Sequence, residues 1–206
     1  MMRTVKEHKT ILSIILVFIS TAIFSQEMNA IFSKDSSNRI STGAYGGPFV
    51  SATQLNGNWG ISIGGKGGII INRKFALGGI GMGTASDYGF VGDNFSGNSN
   101  ASLDVSYGAG GIFLEYISHI TNTIHYSLPI NLMAGGISIK DNDLDVESSS
   151  AFIIEPGVNI EFNLTRSFIP GINFSYRQFF GSSLNNLDDT DLSGFNIGMV
   201  FKFGSF

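Results

Sequence analysis

The chain contains no cysteine, which excludes disulfide bridges, thiolate catalysis and cysteine-based metal sites. It has only 4 prolines and 1 tryptophan in 206 residues, and charged residues make up only 14% of it. The formal net charge of −4 comes without a basic run, so nothing in the sequence supports nucleic-acid binding. These absences argue against thiolate chemistry and against a nucleic-acid partner.

Glycine and phenylalanine are abundant, with 27 and 18 copies, and hydrophobic residues make up 43% of the chain. Low charge combined with many glycines and phenylalanines is typical of β-strands that face lipid on one side. The same composition is unusual for a soluble helical enzyme. The length is sufficient for one domain.

The first residues have the organisation of a secretory signal peptide. A positive region contains Arg3, Lys6 and Lys9. An apolar stretch over residues 11–24 follows it, and small Ser25 comes next. We therefore predict a signal peptide over residues 1–25 and a polar periplasmic lead-in over residues 26–40. The alternative is a retained membrane anchor, but the apolar stretch is shorter than the ~18 residues that a span needs.

Apolar and polar residues alternate along much of the remaining chain, which is the period of a β-strand. The alternation is clearest over residues 152–164 and 195–203. It is also present over residues 61–71, 124–133 and 168–177. Less regular segments lie at 43–53, 75–84 and 103–117, and the last of these is expected to change phase near residues 108–111 through a bulge. The pattern predicts about eight strands.

The connections between these strands alternate in length. Short ones lie at residues 72–74, 119–123 and 165–166; longer polar ones lie at residues 87–101, 141–149 and 181–192, with a modest one at 54–58 on the same side. Such alternation is typical of membrane barrels, and lipid cannot satisfy an open sheet edge. We predict an all-β fold over residues 41–206, a transmembrane antiparallel up-and-down β-barrel of about eight strands. A soluble β-sandwich is the alternative.

Short motifs spread over nearly the whole mature chain carry a family resemblance. They are Gly46-Gly47-Pro48-Phe49-Val50, Gly64-Gly65-Lys66-Gly67-Gly68, residues 75–83, Leu114-Glu115-Tyr116, His125-Tyr126-Ser127, Glu155-Pro156-Gly157 and Tyr176-Arg177. In these motifs the chain resembles small outer-membrane β-barrel proteins of Bacteroidetes, an uncharacterised porin-like group. The resemblance implies the outer membrane of a Gram-negative cell as the location and insertion by the barrel assembly machinery. It implies no activity.

The ending Phe201-Lys202-Phe203-Gly204-Ser205-Phe206 resembles the aromatic-terminated last strand of such barrels, which the assembly machinery reads. The resemblance thus implies that Phe201, Phe203 and Phe206 form an assembly signal.

Charged residues also occur on the strand faces that are predicted to point into the barrel. Three are cationic, three are acidic and one is a histidine: Lys66, Glu115, His125, Glu155, Glu161, Arg177 and Lys202. An eight-strand barrel is just wide enough for side chains to fill it, and an unpaired buried charge is costly, so these charges are expected to pair and plug the interior. A proton or ion path and a small-ligand or lipid site at the mouth are the alternatives.

The longer connections are rich in carboxylates. These are Asp87, Asp93, Asp141, Asp143, Asp145, Glu147, Asp188, Asp189 and Asp191. The run from Asp141 begins like a calcium-binding loop, but Val146 stands where that loop requires glycine, so the match fails. Loose cation binding and a merely solvated acidic surface stay open. We predict no metal site and no cofactor.

The sequence thus predicts a structural or surface-interaction barrel rather than an enzyme. Its outer loops would contact lipid, lipopolysaccharide and an extracellular partner that the sequence does not identify. A narrow barrel for transport or for binding a small ligand or lipid is the second hypothesis. An outer-membrane lipid-modifying enzyme is the third, and it would need a nucleophile beside a base at the lipid-facing edge.

Overall fold

The computed structural model describes residues 41–86, 88–92, 101–141, 144–185 and 187–206. The predicted signal peptide and lead-in lie outside the described residues, and so do Asp87, Asp93 and Asp143. Among the residues described, none of the helical segments has the length and apolar character needed to cross a membrane.

Nine antiparallel strands and one short helix form the described structure. The strands are β1 (Thr42–Leu55), β2 (Asn58–Ile71), β3 (Phe75–Thr84), β4 (Tyr88–Gly92), β5 (Ala101–Ile117), β6 (Ile124–Asp141), β7 (Leu144–Phe162), β8 (Phe168–Phe180) and β9 (Gly194–Ser205), and the helix is α1 (Asp189–Leu192). Most strands form because apolar and polar side chains alternate along them, so that one face can meet an apolar environment, whereas β3 is mainly apolar or glycine on both faces.

The sheet closes on itself. β1 pairs with β9, which joins the first strand to the last. β3 pairs with the second half of β5, through Gly108 to Tyr116, and β4 pairs with its first half, through Ala101 to Val105. β3 and β4 therefore share one position, and nine strand segments make an eight-position ring. The prediction of an antiparallel up-and-down barrel of about eight strands is confirmed.

Large apolar side chains cover the outside of the barrel. Ile63, Ile69, Ile112 and Leu114 are each about half exposed, at 53%, 54%, 52% and 52%. In water a continuous apolar wall of this kind would drive aggregation. The polar and charged side chains on the same strands instead point into the barrel, which is the reverse of a soluble protein.

Paired aromatic rings border the apolar wall at both ends. Phe168 stacks on Phe203 with ring centroids 4.7 Å apart, and Tyr176 meets Phe195 at 5.1 Å. Phe168 and Tyr176 are eight residues apart on β8, which is ~26 Å along the strand at ~3.3 Å per residue. Strand tilt reduces this to a height of about 20 Å, close to the roughly 25 Å apolar band between the aromatic girdles of outer-membrane barrels.

β5 keeps one phase along its whole length, so the predicted bulge near residues 108–111 is wrong. Leu103, Val105 and Phe113 all point inward, whereas Ile112 and Leu114 point outward. The polarity of the inward side chains of β5 changes along the strand because the barrel interior is apolar near the outer mouth and polar farther down. Among the strand pairs of the described residues, the one register shift lies between β6 and β7, where Ile139 pairs with Glu147 and Lys140 with Asp145.

The predicted loop over residues 141–149 is also wrong. β6 runs to Asp141 and β7 begins at Leu144, so this polar stretch is a long hairpin rather than a loop. Beyond the apolar wall both faces of a strand can meet water, and apolar alternation is no longer required there. The modest connection at 54–58 is a two-residue turn at Asn56 and Gly57, whose φ angles of 48° and 76° suit a tight hairpin.

Candidate functional site

Glu115 on β5 is the centre of a buried polar cluster in the lumen. Its carboxylate accepts hydrogen bonds from Ser127 at 2.6 Å, Asn159 at 3.0 Å and Lys202 at 2.7 Å, and from the Tyr45 hydroxyl. These donors come from four other strands. β9, which carries Lys202, lies four positions from β5 in either direction around the ring, so this ion pair spans the lumen.

The same cluster contains the second carboxylate of the lower lumen. Glu161 lies 2.6 Å from Lys202 and 3.0 Å from the Nε2 atom of His125, its register partner on β6. Lys66 lies 3.6 Å from Glu115. The structure thus brings five of the seven predicted interior residues into one network in which basic and acidic side chains alternate.

The remaining two predicted interior residues form a separate pair. Arg177 Nε donates to Glu155 at 2.6 Å, and Ser175 and Asn131 donate to the same carboxylate at 3.1 and 3.4 Å. Arg177 is only 1% exposed, and its guanidinium lies 5.1 Å from the centre of the Tyr107 ring. An arginine this deeply buried requires the carboxylate opposite it.

Asparagines link the pair to the cluster. Ser175 bonds Asn173 at 3.1 Å, and Asn173 donates to Asn159 at 2.7 Å, which donates in turn to Glu115 and Glu161. Within the described part of the chain a few buried polar atoms have no hydrogen-bond partner, including Arg177 Nη1, His125 Nδ1 and both side-chain polar atoms of Asn196. Sequence reasoning did not select Tyr45, Ser127, Asn131 or Asn159 as site residues, although each lies at an inward alternate position.

Apolar side chains fill both ends of the described lumen. At the end of the short turns these are Ile70, Ile117, Ile120 and Ile169. At the other end the segment after β8 turns into the mouth, where Leu187 is 4% and Leu192 1% exposed. Asn56 N–H donates to the Asp191 carbonyl at 2.6 Å and fixes this segment to the β1–β2 turn. We call residues 181–193 the mouth plug; the predicted loop at 181–192 is folded inward rather than projecting freely.

Asp189 organises the start of the mouth plug. Its carboxylate accepts the Ser182 hydroxyl, the Ser182 N–H at 2.9 Å and the Gly181 N–H at 2.8 Å. The Ser182 hydroxyl and these N–H groups hold the pKa of Asp189 below its ordinary value near 3.8, although slight burial acts in the opposite direction. Asp188 and Asp191 form a capping box around α1.

We expect Asp189→Asn to loosen the mouth plug by no more than about 1 kcal/mol, since the group is only partly buried and solvent screens its charge. Because the folded pKa is depressed, the stabilisation is present above pH 3.8 and is lost as the pH falls below it. Hydrogen exchange of the Gly181 and Ser182 amides, corrected for intrinsic rates, measures this. An acid dependence that persists unchanged in Asp189→Asn would assign it to another group.

The other predicted acidic residues that the structure describes lie together on one hairpin. Asp145 and Glu147 lie on the outer hairpin formed by the ends of β6 and β7, and Glu147 accepts Asn185 N–H at 2.6 Å, which ties the hairpin to the mouth plug. Among the described residues, no three or more His, Cys, Asp or Glu side chains form a group that could hold a metal ion. Asp141 ends β6 on the same hairpin.

The three aromatic residues of the predicted assembly signal do not share one face. Phe203 is half exposed on the outer wall, and Phe201 lies on the same face. Phe206 instead stacks on the buried Tyr45 with ring centroids 6.2 Å apart. Their role in assembly stays a prediction.

Comparison with solved structures identifies the same fold. The crystal structure of Neisserial surface protein A is 11% identical, with a TM-score of 0.58 over 81% of this chain and 99% of that one. A major outer membrane protein from Thermus thermophilus is 8% identical, with a TM-score of 0.51 over 79% of this chain and 98% of that one. Such identities show the fold alone. No protein-family model and no curated protein matches the chain, so the Bacteroidetes resemblance stays a prediction.

Proposed function

We propose that this chain is an outer-membrane protein whose barrel is a closed scaffold and whose outer end is an interaction surface. One observation carries the proposal: all seven charged or ionisable residues predicted for the lumen have a partner within 4 Å inside it. Each buried charge therefore has its countercharge inside the barrel, which offsets the cost of removing it from water. Little of the interior then stays free to bind or conduct a solute.

Support for the membrane location comes from the outer wall and from the fold. The half-exposed apolar side chains form a band bordered by aromatic pairs, which is the arrangement that lipid requires of a barrel. The similar folds of Neisserial surface protein A and of an outer membrane protein support the same location. Export by a signal peptide and insertion by the barrel assembly machinery, with Phe201, Phe203 and Phe206 as its signal, are parts of the proposal.

The outer end is the part of the molecule that remains for recognition. It carries Asp145, Glu147, Asp188 and Asp191, whereas the short turns at the opposite end carry Arg73, Lys74 and Arg166. Binding residues commonly lie on segments that a rigid scaffold presents. This charge asymmetry favours a basic partner or divalent cations bound to lipopolysaccharide, with an attraction that salt screens.

We expect the mature protein to fractionate with outer membranes and to run faster on gels before heating than after, because a closed barrel resists detergent until it is heated. Purified protein in planar bilayers is expected to show no large, steady conductance. Folded protein in the soluble periplasm would contradict the location, and stable channels would contradict the closed scaffold. Channels would favour the narrow transport barrel instead.

Shortening the outer hairpin and the mouth plug is expected to leave a folded barrel and to remove any surface-binding phenotype of intact cells. His125→Gln and Lys66→Met serve as lumen controls and are expected to leave that phenotype in place. If the shortened protein keeps the phenotype while a lumen variant abolishes it, the functional site is inside the barrel and the proposal is wrong.

A further inference from the structure

The outer half of β7 has an unpaired edge. β7 begins at Leu144, but its first pair with β8 is Phe152 with Phe180. Over residues 144–151, β7 pairs with β6 on one side, and no described strand pairs with it on the other. A strand edge of this kind presents a row of unused backbone N–H and C=O groups.

The mouth plug leaves this edge open because of the way it departs from β8. Gly181, with φ 77°, turns the chain off the wall and into the mouth. The plug then contacts β7 through side chains: Ser183 N–H donates to Ser149 Oγ at 2.8 Å, and Asn185 N–H donates to Glu147 Oε1 at 2.6 Å. No backbone hydrogen bond joins the plug to residues 144–151 in the described part of the chain.

We propose that residues 144–151 bind an extended, basic segment of another polypeptide as an added β-strand. This rests on the proposed function, since it places the interaction surface at the outer end. The register shift between β6 and β7 leaves Val146 without a partner on β6, so Glu147 to Ala151 form the regular part of the edge. These residues include no proline and no lysine, two residues that commonly block strand pairing at exposed edges.

A groove at the base of the edge provides a second contact. It has a volume of about 540 Å³ and lies where β8 stops, between Phe152 and Phe180, with Ala134 and Gly135 on β6. An added strand that pairs with residues 147–151 ends beside this groove. An apolar side chain of the added segment can enter it, and such side-chain pockets give strand addition its specificity.

Charge selects the partner. Residues 140–147 carry four carboxylates and a single lysine. A second copy of this chain would bring the same carboxylates against one another, because edge-to-edge pairing juxtaposes the two hairpins. Like charges placed opposite each other across a sheet are destabilising. Lysine or arginine side chains in the added segment are attracted instead, which excludes self-pairing and favours a basic partner.

The test uses the folded full chain in lipid nanodiscs and an eight-residue peptide that alternates lysine and valine. We expect the peptide to bind saturably and to slow hydrogen exchange of the amides within residues 147–151. The same peptide with its four central amides N-methylated is expected to lose both effects, because methylation removes the donors needed for strand pairing. A peptide alternating glutamate and valine is expected not to bind.

Two variants that each remove one negative charge distinguish peptide binding at the β7 edge from a general attraction to the acidic outer end. Asp145→Asn should weaken binding of the lysine–valine peptide by about two- to fivefold, as expected for one exposed charge. Asp188→Asn removes the same charge from the mouth plug, away from this edge, and should weaken binding less than Asp145→Asn does. Equal binding of the N-methylated peptide, or no slowing of exchange at saturating peptide, overturns the strand-addition proposal. The proposed function fails separately, through location, conductance or loss of the surface phenotype.

Discussion

Replacing Lys202 with methionine should lower the free energy of unfolding by about 3–5 kcal/mol, the usual cost of removing one partner from a buried ion pair. Lys202 Nζ lies 2.7 Å from Glu115 and 2.6 Å from Glu161, and none of the three side chains is more than 2% exposed. Without it, Glu115 keeps Lys66 at 3.6 Å, whereas Glu161 keeps His125 and the uncharged donors Ser127 and Asn159. Two buried carboxylates would then share insufficient positive charge.

Urea titration of the protein folded in detergent micelles measures this effect. Trp59 is the only tryptophan of the chain and is 56% exposed on the outer wall, so its fluorescence reports loss of the barrel. Lys140→Met, on the outer hairpin, is the matched control and should change stability by less than about 0.5 kcal/mol. An unfolding midpoint for Lys202→Met equal to that of the control would show that the ion pairs do not stabilise the barrel.

Neutralising the stranded carboxylate supplies a second check on the same argument. Adding Glu161→Gln to Lys202→Met should recover part of the lost stability, because an amide is far less costly to bury than an unpaired carboxylate. Glu115 stays unchanged because it still pairs with Lys66. The two sites share one network, so their effects are expected to be non-additive. Additive effects would mean that the two groups do not interact.

Alternation alone was sufficient to predict most of the barrel. Residues 152–164 and 195–203 each place most of their apolar side chains on one face, with Ile153 and Val200 as exceptions, and this period is incompatible with a helix. Phe75–Thr84 was predicted with its observed bounds because a short turn precedes it and a polar stretch follows it. In such segments the polarity of a side chain correctly predicts whether it points into the barrel or to the outer wall.

The sequence pattern failed where the environment of a strand changes along its length. Leu103 and Val105 are apolar and point inward beneath the mouth, whereas Leu114 is apolar and points outward to the wall. The sequence alone does not show that the upper lumen is apolar. The inward apolar residues and the outward apolar residue of β5 therefore look as if the strand changed faces between them. The outer hairpin failed for a related reason, since beyond the wall no apolar face identifies a strand.

Contacts across the lumen also lay beyond sequence reasoning. The predicted set included both Lys202 and Glu115, but their strands lie opposite each other in the ring, and only strand order and register bring them together. Leu187 and Leu192 lie in a polar stretch without periodicity, so nothing local predicted that they would enter the mouth. Such tertiary placement decides which end of the molecule is available to a partner.

The second large effect is expected at the upper ion pair. Arg177→Ala and Glu155→Ala should each lower the free energy of unfolding by about 3–5 kcal/mol, because each leaves its buried partner uncompensated. Arg177 lies 2.6 Å from Glu155 and over the Tyr107 ring, so it loses packing as well as charge. Urea titration in micelles applies here too, with Arg166→Ala, an exposed arginine on a short turn, as the control.

The double variant decides whether the pair or the packing carries this effect. If the charges are coupled, Arg177→Met with Glu155→Leu should be far less destabilised than the sum of the single variants, since no unpaired charge remains. Its conductance should also remain absent, because the Glu115 cluster and the mouth plug still fill the lumen. A steady conductance in this variant alone would identify the Arg177–Glu155 pair as the barrier of a polar path through the barrel. In that case the narrow transport hypothesis would replace the closed scaffold.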